Sequence, residues 1–290
     1  MATRISIRQL EELQRGVTAI DLAILRSLKT CRYLTGRQIV RLYFSDRGRI
    51  TTATLSASYR CLNRLREYGL IRALKRRIGG VRAGSGSYTW VLTSAGFRLL
   101  NLDNVNDSPR KQFREPTPHF LEHTLLVSET WLLLIEICAR RKMNLVDVQF
   151  EPDCWRNYTK GGKHVVLKPD LFALTKGDTY EDYWFIEIDC NTETIARVID
   201  KCGRYIQYFH SGTEQKRSGV FPYVVWIVPN TKRKDSLNLH IGKHYPKAQD
   251  IFVTILPDEL EALMTSGAEK FKKNYESRTM NNENERSSAK

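Results

Sequence analysis

The sequence lacks the signature motifs of several common protein classes. None of its six cysteines stands in a C-x-x-C pair, so we expect neither a zinc finger nor a disulfide framework. It contains no G-x-x-x-x-G-K-[ST] phosphate loop, and ATP binding through such a loop is therefore not expected. No internal repeat is found, which argues against a solenoid or a propeller.

Long apolar runs are also missing. The longest run, Trp131 to Ala139, is interrupted by Glu136 and is too short to span a bilayer. The N-terminus has no apolar core of the kind that a signal peptide needs. We therefore expect a cytoplasmic protein that makes no membrane contact.

Acidic residues are scarce in the front part of the chain. Residues 1–115 hold 22 Lys or Arg against 8 Asp or Glu, whereas the remainder holds 24 of each. The whole formal net charge of +14 therefore lies in the front part. Most of these basic residues are arginines, which suit phosphate and base contacts, so the front part is predicted to bind a nucleic acid.

The front part has the element order of a winged helix-turn-helix. Thr18 and Thr35 can cap two short helices, and a third helix is predicted from about Ala53 to Tyr68, with Leu55 and Tyr59 among its apolar positions. Two strands, Leu70 to Arg77 and Ser87 to Thr93, follow as a hairpin around a glycine-rich loop.

In a winged helix the third helix enters the major groove, and its N-terminal residues reach the bases. The wing adds contacts to phosphates, which give affinity and salt dependence. The predicted DNA-binding residues are Thr52, Thr54, Ser56, Arg60, Arg64, Lys75, Arg76, Arg77 and Arg82. The alternative for this fold is a protein-contact module.

Composition divides the chain at the polar, proline-containing segment from Asn101 to Pro118. We predict a two-domain α+β and α/β protein, with a winged helix in front and a mixed sheet flanked by helices behind. The predicted parts are an N-terminal arm or short helix (1–17), the winged helix (18–101), a linker (102–117), the α/β domain (118–266) and a polar, disordered tail (267–290).

The back part is organised around the stretch from Val165 to Tyr208. It is predicted as a hairpin of two β-rich runs, Val165 to Leu174 and Tyr183 to Cys190, followed by a helix from Thr192 to His210. Alternation predicts that Lys168 and Asp170 share one face, that Glu187 and Asp189 share one face, and that Ile186 and Ile188 point to the core. On the helix, four-residue spacing makes a polar stripe of Glu193, Arg197, Lys201 and Tyr205, with Tyr208 beside it.

Carboxylates on adjacent strands suit a hard divalent cation. Magnesium binds through one or two protein carboxylates and keeps waters that a substrate phosphate can replace. A lysine nearby can neutralise charge on that phosphate. The alternative without a functional site is that these residues form a solvated polar face with helix-stabilising ion pairs.

At Pro169-Asp170 and Glu187-Ile188-Asp189 the chain resembles the PD-(D/E)xK nuclease-like superfamily. The resemblance implies a restriction-endonuclease-like domain with Asp170 and Glu187 as ligands of Mg²⁺ or Mn²⁺. The superfamily pattern has lysine where this chain has Asp189, and Lys201 on the next helix is the candidate replacement. With its basic winged-helix front, the arrangement from Thr18 to Leu256 is similar to the replication-relaxation family of plasmids and other mobile elements.

A second motif lies at the start of the helix predicted from Pro118 to Arg141. His119, Glu122 and His123 spell H-x-x-E-H, the inverted zinc-peptidase motif, with Glu193 as an imaginable third ligand. In the nuclease-like interpretation Glu122 is instead an accessory acid near the metal. The histidines can also simply satisfy polar groups at a domain interface.

We therefore expect a DNA-binding protein of a mobile element that acts in plasmid replication, DNA relaxation or conjugative transfer. The predicted catalytic residues are Asp170, Glu187, Asp189, Lys201 and Glu122. The expected partners are double-stranded DNA, a relaxase or replication protein, and a second copy of the chain. A non-catalytic accessory factor or transcriptional regulator is the alternative, and a zinc peptidase is a remote one.

Overall fold

The computed structural model describes residues 5–45, 49–74, 88–102 and 115–272. The chain divides into two compact units, Met1–Leu132 and Leu133–Lys290. The expected mixture of helices with a mixed β-sheet is confirmed. Most of the predicted linker, most of the predicted tail, and the wing residues Lys75, Arg76, Arg77 and Arg82 lie outside the described residues.

The first unit combines helices with a small antiparallel sheet. Its elements are α1 (Ile7–Gly16), α2 (Ala19–Cys31), β1 (Tyr33–Thr35), α3 (Gly36–Tyr43), α4 (Thr52–Glu67), β2 (Ile71–Ala73), β3 (Thr89–Leu92), α5 (Ser94–Leu100) and the first part of α6 (Pro118–Arg141). The strands lie in the order β1-β3-β2. Strand β1 was not predicted, because three residues between two helices carry no readable alternation.

Side-chain caps set the starts of the helices in this unit. Thr18 and Thr35 cap α2 and α3 as predicted, and Thr51 caps α4. The predicted N-terminal segment contains α1, which is capped by Ser6 and fully buries Leu10. These caps satisfy backbone N–H groups that have no partner within the helix.

Two of the apolar positions predicted on α4 are exposed to solvent. Leu55 is 51% exposed and Tyr59 is 67% exposed. The buried face of α4 is formed instead by Ser58, Cys61, Leu62 and Leu65. The buried residues of α4 therefore lie mainly toward its C-terminal end, whereas Leu55 and Tyr59 belong to an exposed face toward its N-terminal end.

The second unit is built on a five-stranded mixed sheet. Its strands are β4 (Asn144–Phe150), β5 (Arg156–Lys160), β6 (Lys163–Leu167), β7 (Leu171–Lys176), β8 (Glu181–Ile188), β9 (Tyr223–Ile227) and β10 (Phe252–Ile255). Its helices are the end of α6, α7 (Ile195–Ser211), α8 (Thr213–Ser218), α9 (Thr231–His244) and α10 (Leu260–Ser266). The sheet order is β10-β9-β8-β7-β4, and β5 and β6 form a separate hairpin.

Strand β8 occupies the centre of the sheet. It pairs antiparallel with β7 and parallel with β9, and both of its faces are buried from Trp184 to Ile188. Helix α7 covers the face that carries Phe185 and Glu187, with the Phe185 and Tyr205 rings 5.7 Å apart. The acidic face of β8 is therefore part of the protein interior, and it is not the solvated polar face that the alternative without a functional site predicts.

Two predicted segments in this unit are corrected. The run from Val165 to Leu174 is two strands, β6 and β7, because Pro169 has no N–H to continue a ladder. The segment from Asp153 to Lys163 is rich in aromatic and basic residues and is predicted from sequence as a loop, but it contains β5, which returns as β6 through Gly161-Gly162 with positive φ at both glycines. Such a Gly-Gly pair is a recognised signal for a two-residue hairpin turn.

The break between β6 and β7 also changes the environment of Lys168. Its amine lies 4.2 Å from the centroid of the Trp155 ring. Helix α9 was not predicted, since its sequence is polar apart from a few positions such as the buried Leu237 and Ile241.

Candidate functional site

Two strand ends bring the predicted metal-binding carboxylates together. Asp170 directly precedes β7, and Glu187 lies one residue before the end of β8. The register pairs Leu171 with Ile186, and continuing it by one residue sets Asp170 directly across from Glu187. The Oδ2 atom of Asp170 accepts a hydrogen bond of 2.8 Å from the backbone N–H of Ile188, and this bond fixes the Asp170 carboxylate.

Helix α7 supplies the cation of this cluster. Thr194 caps its first turn, and Lys201 follows on the side that faces β8. The Lys201 Nζ atom lies 2.5 Å from Glu187 Oε2 and 3.8 Å from Asp170 Oδ1. One turn later, the Tyr205 hydroxyl donates a hydrogen bond of 2.5 Å to Glu187 Oε1. The predicted proximity of Lys201 to both carboxylates is thus found.

Burial controls the electrostatics of the cluster. Burial raises the pKa of Glu187 well above its usual range; Lys201 opposes this shift, and the Asp170 carboxylate adds to it. Burial by itself lowers the pKa of Lys201, but Glu187 and Asp170 outweigh it and raise the pKa. Burial and the nearby Glu187 also raise the pKa of Tyr205. The lysine therefore stays charged, and the tyrosine keeps the proton that it donates to Glu187.

Asp189 belongs to a different contact from the one predicted. Its Oδ2 atom accepts a hydrogen bond of 2.5 Å from Arg233 Nε of α9, and its Oδ1 atom accepts one of 2.8 Å from Asn191 N. Arg233 also donates to the Glu193 carbonyl at 2.8 Å. The Asp189 charge is thus neutralised by the buried Arg233, which was not predicted as its partner. Through its bond to the Glu193 carbonyl, Arg233 also ties the start of α7 to α9.

A third buried ion pair, between Arg156 and Glu214, also binds Tyr208, which was predicted beside the polar stripe. The Tyr208 hydroxyl donates to Glu214 Oε2 at 2.5 Å, and Arg156 Nε donates to the same atom at 3.1 Å. The Arg156 guanidinium also lies over the Phe172 ring, 4.8 Å from its centroid. This contact joins β5 to α8, and the Tyr208 hydroxyl donates to Glu214 rather than to Glu187.

The H-x-x-E-H residues do not form a recognisable metal site. His119 and Glu122 are exposed on α6 in the first unit, and His123 is partly buried there. Across the described ranges of the chain, no group of three or more His, Cys, Asp or Glu side chains is placed to hold a metal ion. The zinc-peptidase alternative therefore gains no support, and the accessory role of Glu122 stays a prediction.

The predicted base-reading residues of α4 differ in their surroundings. Thr52, Ser56 and Arg60 are exposed. The Thr54 hydroxyl accepts a hydrogen bond from Thr51 N at 2.8 Å, as part of the helix cap. Arg64 donates to both carboxylate oxygens of the fully buried Asp21 at 2.8 Å, so it has a role within the fold.

Comparison with known proteins gives one family. A family model described as replication-relaxation matches residues 25–224, which is more than half of the chain. No match was found among curated proteins. A crystal structure of protein VC1899 from Vibrio cholerae is similar at 15% identity with a TM-score of 0.29; the match covers 92% of this chain and 56% of that one.

Within the residues that the structure describes, no helix has both the length and the apolar character needed to cross a bilayer.

Proposed function

The chain belongs to the replication-relaxation family, and we propose that it binds duplex DNA through its front unit and cuts a phosphodiester bond with a divalent cation. Family membership indicates a role in the replication or relaxation of a plasmid or another mobile element. In this proposal residues 18–101 act as a winged helix-turn-helix and residues 118–266 as a nuclease-like domain. A relaxase or replication protein and a second copy of the chain are the proposed protein partners.

The observation that carries the cleavage proposal is the position of the Lys201 amine beside two carboxylates. Asp170 and Glu187 come from separate strand ends and have no role in the apolar core, yet both are buried. Burying two acidic groups side by side is costly unless a cation compensates them. The fold keeps these two acidic residues together despite this cost, and this favours a functional role for them.

The donor set fits a hard cation. Asp170 Oδ1 and Glu187 Oε2 both face a positive charge, while the other oxygen of each carboxylate is held by Ile188 N or Tyr205. Two carboxylates and solvent are a typical set for Mg²⁺ or Mn²⁺, which would here polarise a phosphate oxygen and lower the pKa of a bound water. Asp170 and Glu187 would hold that ion.

The chain's own groups would then act on the substrate phosphate. The Lys201 ammonium would offset the negative charge that builds on the phosphate during cleavage, which preorganised cations do effectively in a water-poor site. Tyr205 and the Ile188 N–H would keep the carboxylates in place without reorganisation. Asp189 would not repel the phosphate strongly, because Arg233 already neutralises it.

The DNA-binding half of the proposal is supported by charge and exposure. The net positive charge lies in residues 1–115, and Arg60 is exposed at the middle of α4. Neutralising phosphates with such residues releases counterions, so affinity is expected to fall steeply as salt rises. Arg64 contributes to this surface less than predicted, since its guanidinium is engaged by Asp21.

Cation binding provides the test of the site. We expect the full chain to bind Mn²⁺ weakly in a calorimetric titration and Asp170→Asn to lose that binding. Asparagine retains an oxygen for the Ile188 N–H but removes the charge, so the fold is expected to persist. Asp178→Asn, an exposed change in the β7–β8 turn, is the matched control and should bind as the unaltered chain does.

Two other results would redirect the proposal. Stoichiometric zinc that is lost when His119 or His123 is replaced would favour the peptidase. A chain that stays folded after chelator treatment, binds DNA and takes up no divalent cation would favour the accessory or regulatory alternative. One observation favours that alternative: the Lys201–Glu187 pair is itself a satisfied buried ion pair.

A further inference from the structure

Helix α4 exposes two large apolar side chains that its packing does not explain. Leu55 is 51% exposed and Tyr59 is 67% exposed, while the core side of the helix is already filled by Cys61, Leu62 and Leu65. Leu55 and Tyr59 are four residues apart, so they lie one above the other on the same face. An exposed leucine alone is common, but a paired apolar surface on a helix end points to a partner.

Polar and basic residues surround this pair. Thr52, Ser56 and Arg60 are exposed next to Leu55 and Tyr59, and α4 contains no acidic residue before Glu67. The unit that carries the helix holds 22 Lys or Arg against 10 Asp or Glu, and thus most of the positive net charge of the chain. Charge complementarity therefore indicates a polyanion as the occupant of the surface, in preference to an acidic or apolar protein face.

We infer that Leu55 and Tyr59 contact thymine methyl groups, so that the chain prefers duplexes with thymines at defined positions in the major groove. This inference rests on the proposed DNA binding through α4. A leucine side chain has no hydrogen-bonding atom, so it can distinguish bases only by apolar contact. The C5-methyl group of thymine is the apolar feature of the major groove, and the other natural base pairs show only donors, acceptors and ring edges there.

The neighbouring residues complete the readout. Ser56 can hydrogen-bond a base edge on either strand, and Arg60 can pair with guanine or with a phosphate. The expected site therefore combines thymine methyl contacts with a small number of polar contacts from the same helix face. Apolar contacts to the methyl group distinguish thymine from cytosine. The hydroxyl groups of Thr52 and Ser56 distinguish these two bases less strongly, because a hydroxyl can both donate and accept a hydrogen bond.

The test uses the full chain and removes only the methyl groups. Duplexes retained from a random-sequence pool are resynthesised with deoxyuridine in place of thymidine, which leaves base pairing and charge unchanged. We expect the affinity to fall about four-fold for each contacted methyl group lost. Leu55→Ala and Tyr59→Ala should reduce this thymine–uracil difference while keeping most of the salt-dependent affinity. Leu126→Ala, an equally simple change at an exposed leucine of α6, should leave it intact.

Several outcomes overturn the inference. Equal affinity for the thymine and uracil duplexes contradicts it but leaves the proposed DNA binding standing. Retention of no duplex from the pool overturns the proposed DNA binding as well. Self-association that light scattering detects, and that Leu55→Ala abolishes, would assign the surface to a second copy of the chain instead.

Discussion

Replacing Lys201 with methionine is expected to lower the free energy of unfolding by about 3–5 kcal/mol, because the substitution removes one partner of a buried ion pair. The side chain of Glu187 is fully buried and Asp170 is nearly so, and the Lys201 amine lies within 4 Å of both. Without the ammonium, two neighbouring carboxylates share the interior, with the Ile188 N–H still donating to Asp170 and the Tyr205 hydroxyl to Glu187. Chemical denaturation of the purified variant measures the loss.

The same substitution is expected to lower any DNA cleavage by about 10²–10³-fold, the usual effect of losing one transition-state charge partner. Cleavage is measured where denaturation shows the variant to be folded. The double variant Glu187→Gln with Lys201→Met should regain much of the stability and none of the cleavage. Arg197→Met, one turn earlier on the same stripe but exposed to solvent, should change neither property. Unchanged stability and cleavage in Lys201→Met would remove the lysine from the site.

Replacing Arg233 with methionine should cause a stability loss of similar size, about 3–5 kcal/mol. This change leaves the buried Asp189 carboxylate with Asn191 N as its hydrogen-bond donor and breaks the contact from Arg233 to the Glu193 carbonyl. Lys232→Met is the control, because Lys232 is exposed on the same helix. Thermal or denaturant unfolding of the three proteins gives the comparison.

The Arg233 series also tests the role of Asp189. The double variant Asp189→Leu with Arg233→Met replaces the ion pair by two apolar groups and should recover most of the lost stability. If Asp189 serves only to anchor Arg233, this double variant should cleave DNA within a few-fold of the unaltered chain. A loss as large as that expected for Lys201→Met would return Asp189 to the catalytic set.

Local sequence signals were sufficient for much of the back unit. The turn at Lys176-Gly177-Asp178 and the two β-rich runs around it predicted the β7–β8 hairpin, and apolar spacing predicted α7. Because the connection from β8 to α7 is short, the four-residue stripe was enough to bring Lys201 near Glu187. These features depend on residues that are close together in the sequence, and they could therefore be predicted from the sequence alone.

Contacts between residues that lie far apart in the sequence could not be predicted. Arg233 reaches Asp189 from a helix whose few apolar positions gave no clear period, so neither α9 nor the ion pair was predicted. Alternation put Glu187 on the face opposite Ile186 but could not show that α7 buries that face as well. Leu55 and Tyr59 were recognised as apolar positions of a helix, but their exposure depends on how that helix packs, which the sequence does not show.

Relaxation of supercoiled plasmid DNA by the purified full chain tests the central claim most directly. With Mn²⁺ or Mg²⁺, and not with chelator, the chain is predicted to nick the plasmid. Glu187→Gln should reduce the nicking rate by at least about 10²-fold. Glu181→Gln, the same change at an exposed position of β8, should nick at the unaltered rate. No cation-dependent nicking, or equal rates for both variants, would contradict a cleavage site at Asp170, Glu187 and Lys201.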